Sequence, residues 1–279
     1  MNALVITADD FGLAEEVNEA VEFAHRKGVL SAASLMVSGP AAAHAIALAK
    51  RKPELRLGLH LVLVDGNPVL PCGEISALTG RDGKLRGDMT ASSFRLALDP
   101  RARGQLRKEI AAQFAAFGQT GKALDHVNAH KHYHLHPLVA RELFEVGQHY
   151  GMRAIRVPIE PRQVLARAET LRATPLADFT VLWARLLKRE ARRAGLRMAD
   201  AVFGLRWSGE MYARRLRALI ENMPDGLVEI YLHPATSDRF RGRSPGYRYT
   251  EELAALVEPA VIDAVRVAGR RPAGYADLG

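Results

Sequence analysis

The sequence predicts an α/β protein on a parallel sheet: a TIM-like (β/α) barrel, incomplete, with about seven strands. Three observations carry this. Short apolar runs suited to strands alternate with amphipathic helical stretches along the chain. Its 279 residues suit one domain of barrel size, and no linker divides residues 1–279. No Gly-x-Gly-x-x-Gly follows the first strand, which disfavours an open dinucleotide-binding sheet.

Leu4 to Ala8 reads as the first strand. In Glu15 to Lys27, Val17, Ala20, Val21 and Ala24 recur at helical spacing, and Gly28 ends the helix. A strand over Ala33 to Val37, a helix over Ala41 to Lys50 and a strand over Leu57 to Leu61 follow. Asp65 to Gly87, rich in Gly and Pro, is a long excursion of the kind that is functional or mobile. Helices are expected over Arg101 to Phe117 and Leu138 to Tyr150, with a strand over Leu124 to Asn128 between them. Ala154 to Val157 is read as a short strand, and Pro175 to Ala194 and Gly209 to Asn222 as helices. Leu227 to Leu232 is a strand, Thr250 to Val267 a helix interrupted near Pro259, and Gly274-Tyr275 part of a last strand.

Composition narrows the class. Hydrophobic residues make up 48% and charged residues 25%, enough apolar content for a core and against disorder. Cys72 is the one cysteine, which excludes an intrachain disulfide or a Cys-based zinc site. Met1 to Asp9 lacks a basic leader pattern, and no run reaches the roughly 18 apolar residues of a membrane span. A cytoplasmic protein is expected. The net charge of +8 is concentrated in arginines between Arg153 and Arg248, which read either as solvated helix faces or as attraction to an anionic membrane or nucleic acid.

The residues with chemistry sit at strand ends. Asp9 and Asp10 follow the first strand, and a turn with a helix N-cap needs only one acid. Adjacent carboxylates point apart, so one could bind a metal while the other faces a water. His60 ends the third strand, where parallel barrels place catalytic groups, although a histidine on an apolar strand is often a core residue. Between His126 and His136 lie five of the ten histidines. In extended geometry His130, His132, His134 and His136 would share a face, and spacing does not select among them. Imidazole with carboxylate suits zinc, iron, nickel or manganese, whereas magnesium prefers oxygen. His233 and Arg156 also follow strands, Arg156 as a candidate for orienting substrate. Glu229, inside its strand, reads as a buried partner. The set converges on one barrel rim.

Thr7-Ala8-Asp9-Asp10-Phe11-Gly12-Leu13, Ser34-Leu35-Met36-Val37, Gly58-Leu59-His60, the histidine run, Ile155-Arg156-Val157-Pro158 and Leu232-His233-Pro234 resemble the YdjC-like carbohydrate deacetylases. The resemblance implies an incomplete barrel, one divalent metal ion (Mg²⁺ or Zn²⁺) and removal of acetyl from N-acetylated sugars. It implies Asp10, His60 and His130 as ligands and Asp9 as general base. Many relatives carry Asp where this chain has Asn128. Asn128 to His132 and Glu229 to Ala235 are most similar to the hopanoid-biosynthesis branch, implying N-acetylglucosaminyl bacteriohopanetetrol as substrate. Such a glycolipid would suit a cytoplasmic protein peripheral to the inner membrane, and a homodimer is compatible with the sequence.

The reaction expected is acetamide hydrolysis, with His233 protonating the leaving amine. A phosphoesterase on a similar barrel would need two or three metals about 3.5–4 Å apart, hence more strand-end carboxylates. A basic nucleic-acid or membrane-binding protein without catalysis has the charge, but 6% aromatics gives little stacking surface and no nucleic-acid motif is present. No nucleic-acid partner is expected.

Overall fold

A computed structural model describes residues 2–170 and 175–277, with the side chains of residues 175–179 left aside. Six strands form the curled sheet: β1 (Ala3–Phe11), β2 (Ala32–Leu35), β3 (Arg56–Leu61), β4 (Val127–Ala129), β5 (Ala201–Phe203) and β6 (Leu227–Leu232). Their order is β4-β3-β2-β1-β6-β5, all neighbours parallel. The two-residue β7 (Arg271–Pro272) pairs with the start of β1.

The incomplete barrel expected from the alternation is what the chain forms. Its open side lies between β4 and β5. The strand expected over Ala154 to Val157 is not a ladder there, but single bridges, Val127 to Ile155 and Ala154 to Arg197, reach across part of the gap. Gly274-Tyr275 is likewise not a strand, since Tyr275–Asp277 makes a 3-10 turn.

β1 is buried along its whole length, as expected of a strand covered on both faces. Its residues alternate between two cores. Leu4, Ile6 and Ala8 belong to the large cluster shared with the helices. Ala3 and Val5 pack with Ala32, Val202, Tyr231 and Tyr275, the filling of the barrel interior. Thr7 and Asp9 continue that inner face by the two-residue period of a strand.

Around the sheet run α1 (Glu15–Lys27), α2 (Ala42–Lys50), α3 (Met89–Leu98), α4 (Pro100–Gly118), α5 (Pro137–His149), α6 (Arg162–Ala168), α7 (Pro175–Arg193), α8 (Ala213–Asn222), α9 (Tyr249–Val257) and α10 (Pro259–Val267). The helix expected from Gly209 begins at Ala213. Pro259 separates α9 from α10, since a proline lacks the N–H that a continuous helix needs. The excursion between β3 and α3 is irregular, tied down by Glu109, which accepts the backbone N–H groups of Val69 and Leu70.

Candidate active site

The carboxyl end of β1 sets the site. The pairing of β1 with β2 shifts register between Ala8 and Phe11, and Asp10 lies in the left-handed region at φ 60°. This bulge breaks the alternation that would send Asp9 and Asp10 to opposite faces of the sheet. Both carboxylates remain at the rim, 2% and 3% exposed, and they meet different partners. Gly12, at φ 100°, closes the turn where a Cβ would meet the Met36 carbonyl at 2.9 Å, so glycine is required.

Asp10 faces two histidines. Its Oδ1 is 3.2 Å from His60 Nε2 and 3.2 Å from His130 Nδ1. One donor atom from each of the three residues lies within 4.8 Å of the others. Burial alone would raise the Asp10 pKa, but His130 and His60 outweigh it and hold the carboxyl well below its ordinary value. Two imidazoles and a carboxylate converge, Asp10 and His60 buried and His130 half-buried, and they fit a divalent ion of the zinc type.

Asn128 fixes the His60 ring. β3 and β4 set His60 directly beside Asn128, and His60 Nδ1 lies 2.8 Å from Asn128 Oδ1. The amide oxygen can only accept, so Nδ1 carries the proton and Nε2 is left bare toward Asp10. Asn128 Nδ2 donates to Asp9 Oδ1 at 3.0 Å and to Ser34 Oγ at 3.1 Å. Ser34 Oγ in turn meets His126 Nε2 at 2.9 Å, and His126 Nδ1 meets Asp125 Oδ2 at 2.8 Å. The His126 ring crosses Gly58, where a Cβ would come within 2.4 Å of it. Asn128 is thus the hub of a buried chain linking Asp125, His126 and Ser34 to Asp9 and His60.

Asp9, beside this trio, is held by other partners. Arg156 grips it with Nη1 on Oδ2 and with Nη2 3.0 Å from Oδ1. The same guanidinium donates through Nε and Nη2 to Glu229 at 3.0 and 2.7 Å. Glu229 also accepts from Thr7 Oγ1 at 2.7 Å and from Tyr275. Burial would raise the Asp9 pKa, but Arg156, then His60 and His233, drive it far down. Arg156 is fully buried and turned to two carboxylates, with its guanidinium 4.3 Å from the Tyr231 ring centre. Arg156, a candidate from the sequence for orienting substrate, is turned here to Asp9 and Glu229.

His233 ends β6. Its ring packs edge-on against Tyr247 and Tyr231 at 5.0 and 5.9 Å, and its Nδ1 is buried with no hydrogen-bond partner among the described residues. The backbone N–H of His233 donates to Glu252.

The remaining histidines do not share one extended face with His130. After Ala129 the chain enters a 3-10 turn, His130–Leu135, with Lys131 and His132 both at φ 53°. Consecutive left-handed residues cost about 1–2 kcal/mol each and throw the side chains apart. His132 Nε2 meets the Tyr231 hydroxyl at 2.8 Å. His134 Nε2 donates to the Arg156 carbonyl at 3.0 Å. Burial keeps both neutral, with His134 lowered to about 4 and His132 also well below its ordinary value.

Sequence reasoning missed the linking chain, because Ser34, His126 and Asn128 meet only through the order of β2, β3 and β4. Ser34 stood in a quoted motif and His126 in the histidine run, but neither carries a signal for the bond between them.

The family model described as YdjC-like protein matches residues 3–266. A carbohydrate deacetylase of Geobacillus stearothermophilus is 30% identical over 263 residues, covering 92% of this chain and 90% of its own. One from Mus musculus is 35% identical over 250 residues, covering 83% and 77%. The crystal structure of an Enterococcus faecalis V583 protein assigned to cellobiose-phosphate cleavage superposes with a TM-score of 0.75 at 20% identity, over 100% of both chains. That last likeness is one of fold.

Proposed function

The chain belongs to the YdjC-like family, and from that premise we propose that it is a carbohydrate N-deacetylase, hydrolysing the acetamide of an N-acetylated sugar to acetate and a free amine. One observation supports this above the rest: the converging donor trio Asp10, His60 and His130 sits beside a second, buried carboxylate, Asp9, that it does not use. We propose that the trio holds one divalent ion, Zn²⁺ or Mg²⁺, and two imidazoles in three donors favour zinc. Bound there, the ion supplies Lewis acidity toward a water and the acetyl carbonyl.

The chain's own groups do the proton work. Asp9, kept ionised by Arg156, accepts the proton of the attacking water. Arg156 and Asn128 hold both of its oxygens, so the base is aimed before substrate arrives. His233, whose Nδ1 has no hydrogen-bond partner among the described residues, donates a proton to the leaving nitrogen as the C–N bond breaks. Among the described residues there is one group of three such donors, which supports a one-metal hydrolase over a phosphoesterase with two or three metals.

The substrate we propose is N-acetylglucosaminyl bacteriohopanetetrol, reached at the cytoplasmic face of the inner membrane. Asn128 to His132 and Glu229 to Ala235 support it by their similarity to the hopanoid branch. No helix of the described residues is long and apolar enough to cross a membrane. The test is acetate release by metal-loaded protein, comparing this glycolipid with chitooligosaccharides. Faster turnover of the glycolipid supports the assignment, and a preference for chitooligosaccharides assigns the enzyme to soluble sugars instead.

A further inference from the structure

We propose that α7 docks this protein on an anionic lipid surface, and that the groove walled by Trp183 lies at the docked face.

The helix has three differently composed sides. Ala184, Leu187 and Ala191 are buried and fix it to the body. Leu182, Trp183 and Leu186 are 60%, 41% and 38% exposed, and at about 100° per residue they fall in one adjoining sector. Beside that sector lie Arg185, Arg189 and Arg192, all exposed, with Lys188 half-buried, and exposed Arg193 follows in line with Leu182 in the last turns. Glu190, which pairs with Arg193, offsets little of that charge. Single exposed apolar residues are ordinary. Two leucines and a tryptophan side by side, bordered by arginines, have the composition of a helix lying in a membrane interface.

Position adds a second argument. Trp183 and Thr180 form one wall of a groove of about 320 Å³ whose other walls include Met89 and Ser93 of α3, His132 and His136. The groove thus joins the exposed apolar sector of α7 to the histidine turn that supplies His130.

Charge decides between occupants. A symmetric dimer through this face would set each arginine cluster against its own copy, and like charges at close quarters oppose association. A nucleic acid would accept the arginines but leave the leucines uncovered. An anionic bilayer satisfies both, attracting the cations at its surface while burying the apolar side chains.

The experiment uses the whole chain with phosphatidylcholine vesicles, with and without phosphatidylglycerol, and contains no sugar substrate, so its outcome is separate from the deacetylase reading. The chain has two tryptophans, and Trp207 is buried at 5%, so an emission shift on binding reports Trp183. Binding to the phosphatidylglycerol vesicles is expected, with a blue shift that disappears in Trp183→Phe and affinity that falls as salt rises. Leu182→Ser/Leu186→Ser and Arg185→Glu/Arg189→Glu should each weaken binding by roughly tenfold or more. Their melting temperatures should stay near that of the parent, because all four side chains are exposed. No binding to phosphatidylglycerol vesicles, equal binding to phosphatidylcholine alone, indifference to both double substitutions, or a lipid-free dimer that shields Trp183 would each overturn the proposal.

Discussion

Arg156 holds Asp9 by both carboxylate oxygens, with Nη2 3.0 Å from Oδ1 and Nη1 on Oδ2, at a place where both side chains are buried. The pair sets two properties at once. Asp9 stays ionised to far lower pH than a free carboxylate, and its direction is fixed. Such a carboxylate is a weak base in exchange for being always available and always aimed. Asp9→Asn should therefore lower kcat by about 10²–10⁴-fold while leaving metal affinity within a few-fold of the parent. Turnover and calorimetric metal titration of the same preparation check both halves.

Arg156 also neutralises Glu229. Removing it leaves two buried carboxylates facing each other, so Arg156→Met should destabilise the protein by about 3–5 kcal/mol. Arg156→Lys keeps a charge but cannot donate in two directions to two carboxylates. It should fold with a smaller loss and show a reduced kcat with KM little changed. Urea denaturation and steady-state kinetics separate the two variants.

Asn128 can be tested by splitting its donors from its acceptor. Asn128→Ala takes away the oxygen that receives His60 Nδ1–H, and metal affinity should fall by about 10–100-fold. Asn128→Asp restores that acceptor and adds a charge, so metal affinity should recover. It also loses the N–H group on Asp9 Oδ1 and sets two carboxylates side by side, so kcat should stay low. Metal titration alongside turnover distinguishes the two effects.

His134 predicts an acid limb in stability. Its pKa falls from the ordinary 6.5 to about 4 on burial, so below pH 6.5 the unfolded chain takes up a proton that the folded chain refuses. The contribution of neutral His134 is fully present above pH 6.5 and is lost as pH falls toward 4, up to about 3 kcal/mol at 1.4 kcal/mol per unit. His134→Gln, which keeps a donor for the Arg156 carbonyl, should flatten that part of the profile. Chemical denaturation across this pH range is the measurement.

How far the site could be read from sequence differs residue by residue. Leu227 to Leu232 and Glu15 to Lys27 were legible because an apolar run or a 3.6-residue period reports burial directly. His60 and His233 were legible as strand-end histidines. Which of Asp9 and Asp10 meets the histidines came from the family resemblance and not from spacing, because it depends on a bulge at the end of β1. Alternation failed on the histidine run for a related reason: the left-handed Lys131 and His132 end the strand and make a turn. β5 and α6 went unread because three and seven residues are too short for a period to stand out. Arg156 was placed at the rim by its position after an apolar run, whereas its burial depends on Glu229 from across the barrel.

The proposed enzyme uses one divalent ion on Asp10, His60 and His130, with Asp9 as base, for acetamide hydrolysis. The most direct measurement is metal content per chain together with acetate release from an N-acetylated sugar, for the parent, His60→Ala and Asp9→Asn. About one ion per chain is expected for the parent and for Asp9→Asn, with loss of the ion in His60→Ala and acetate release at full rate from the parent alone. Full acetate release by the chelator-treated, metal-free parent, or by His60→Ala, would contradict it.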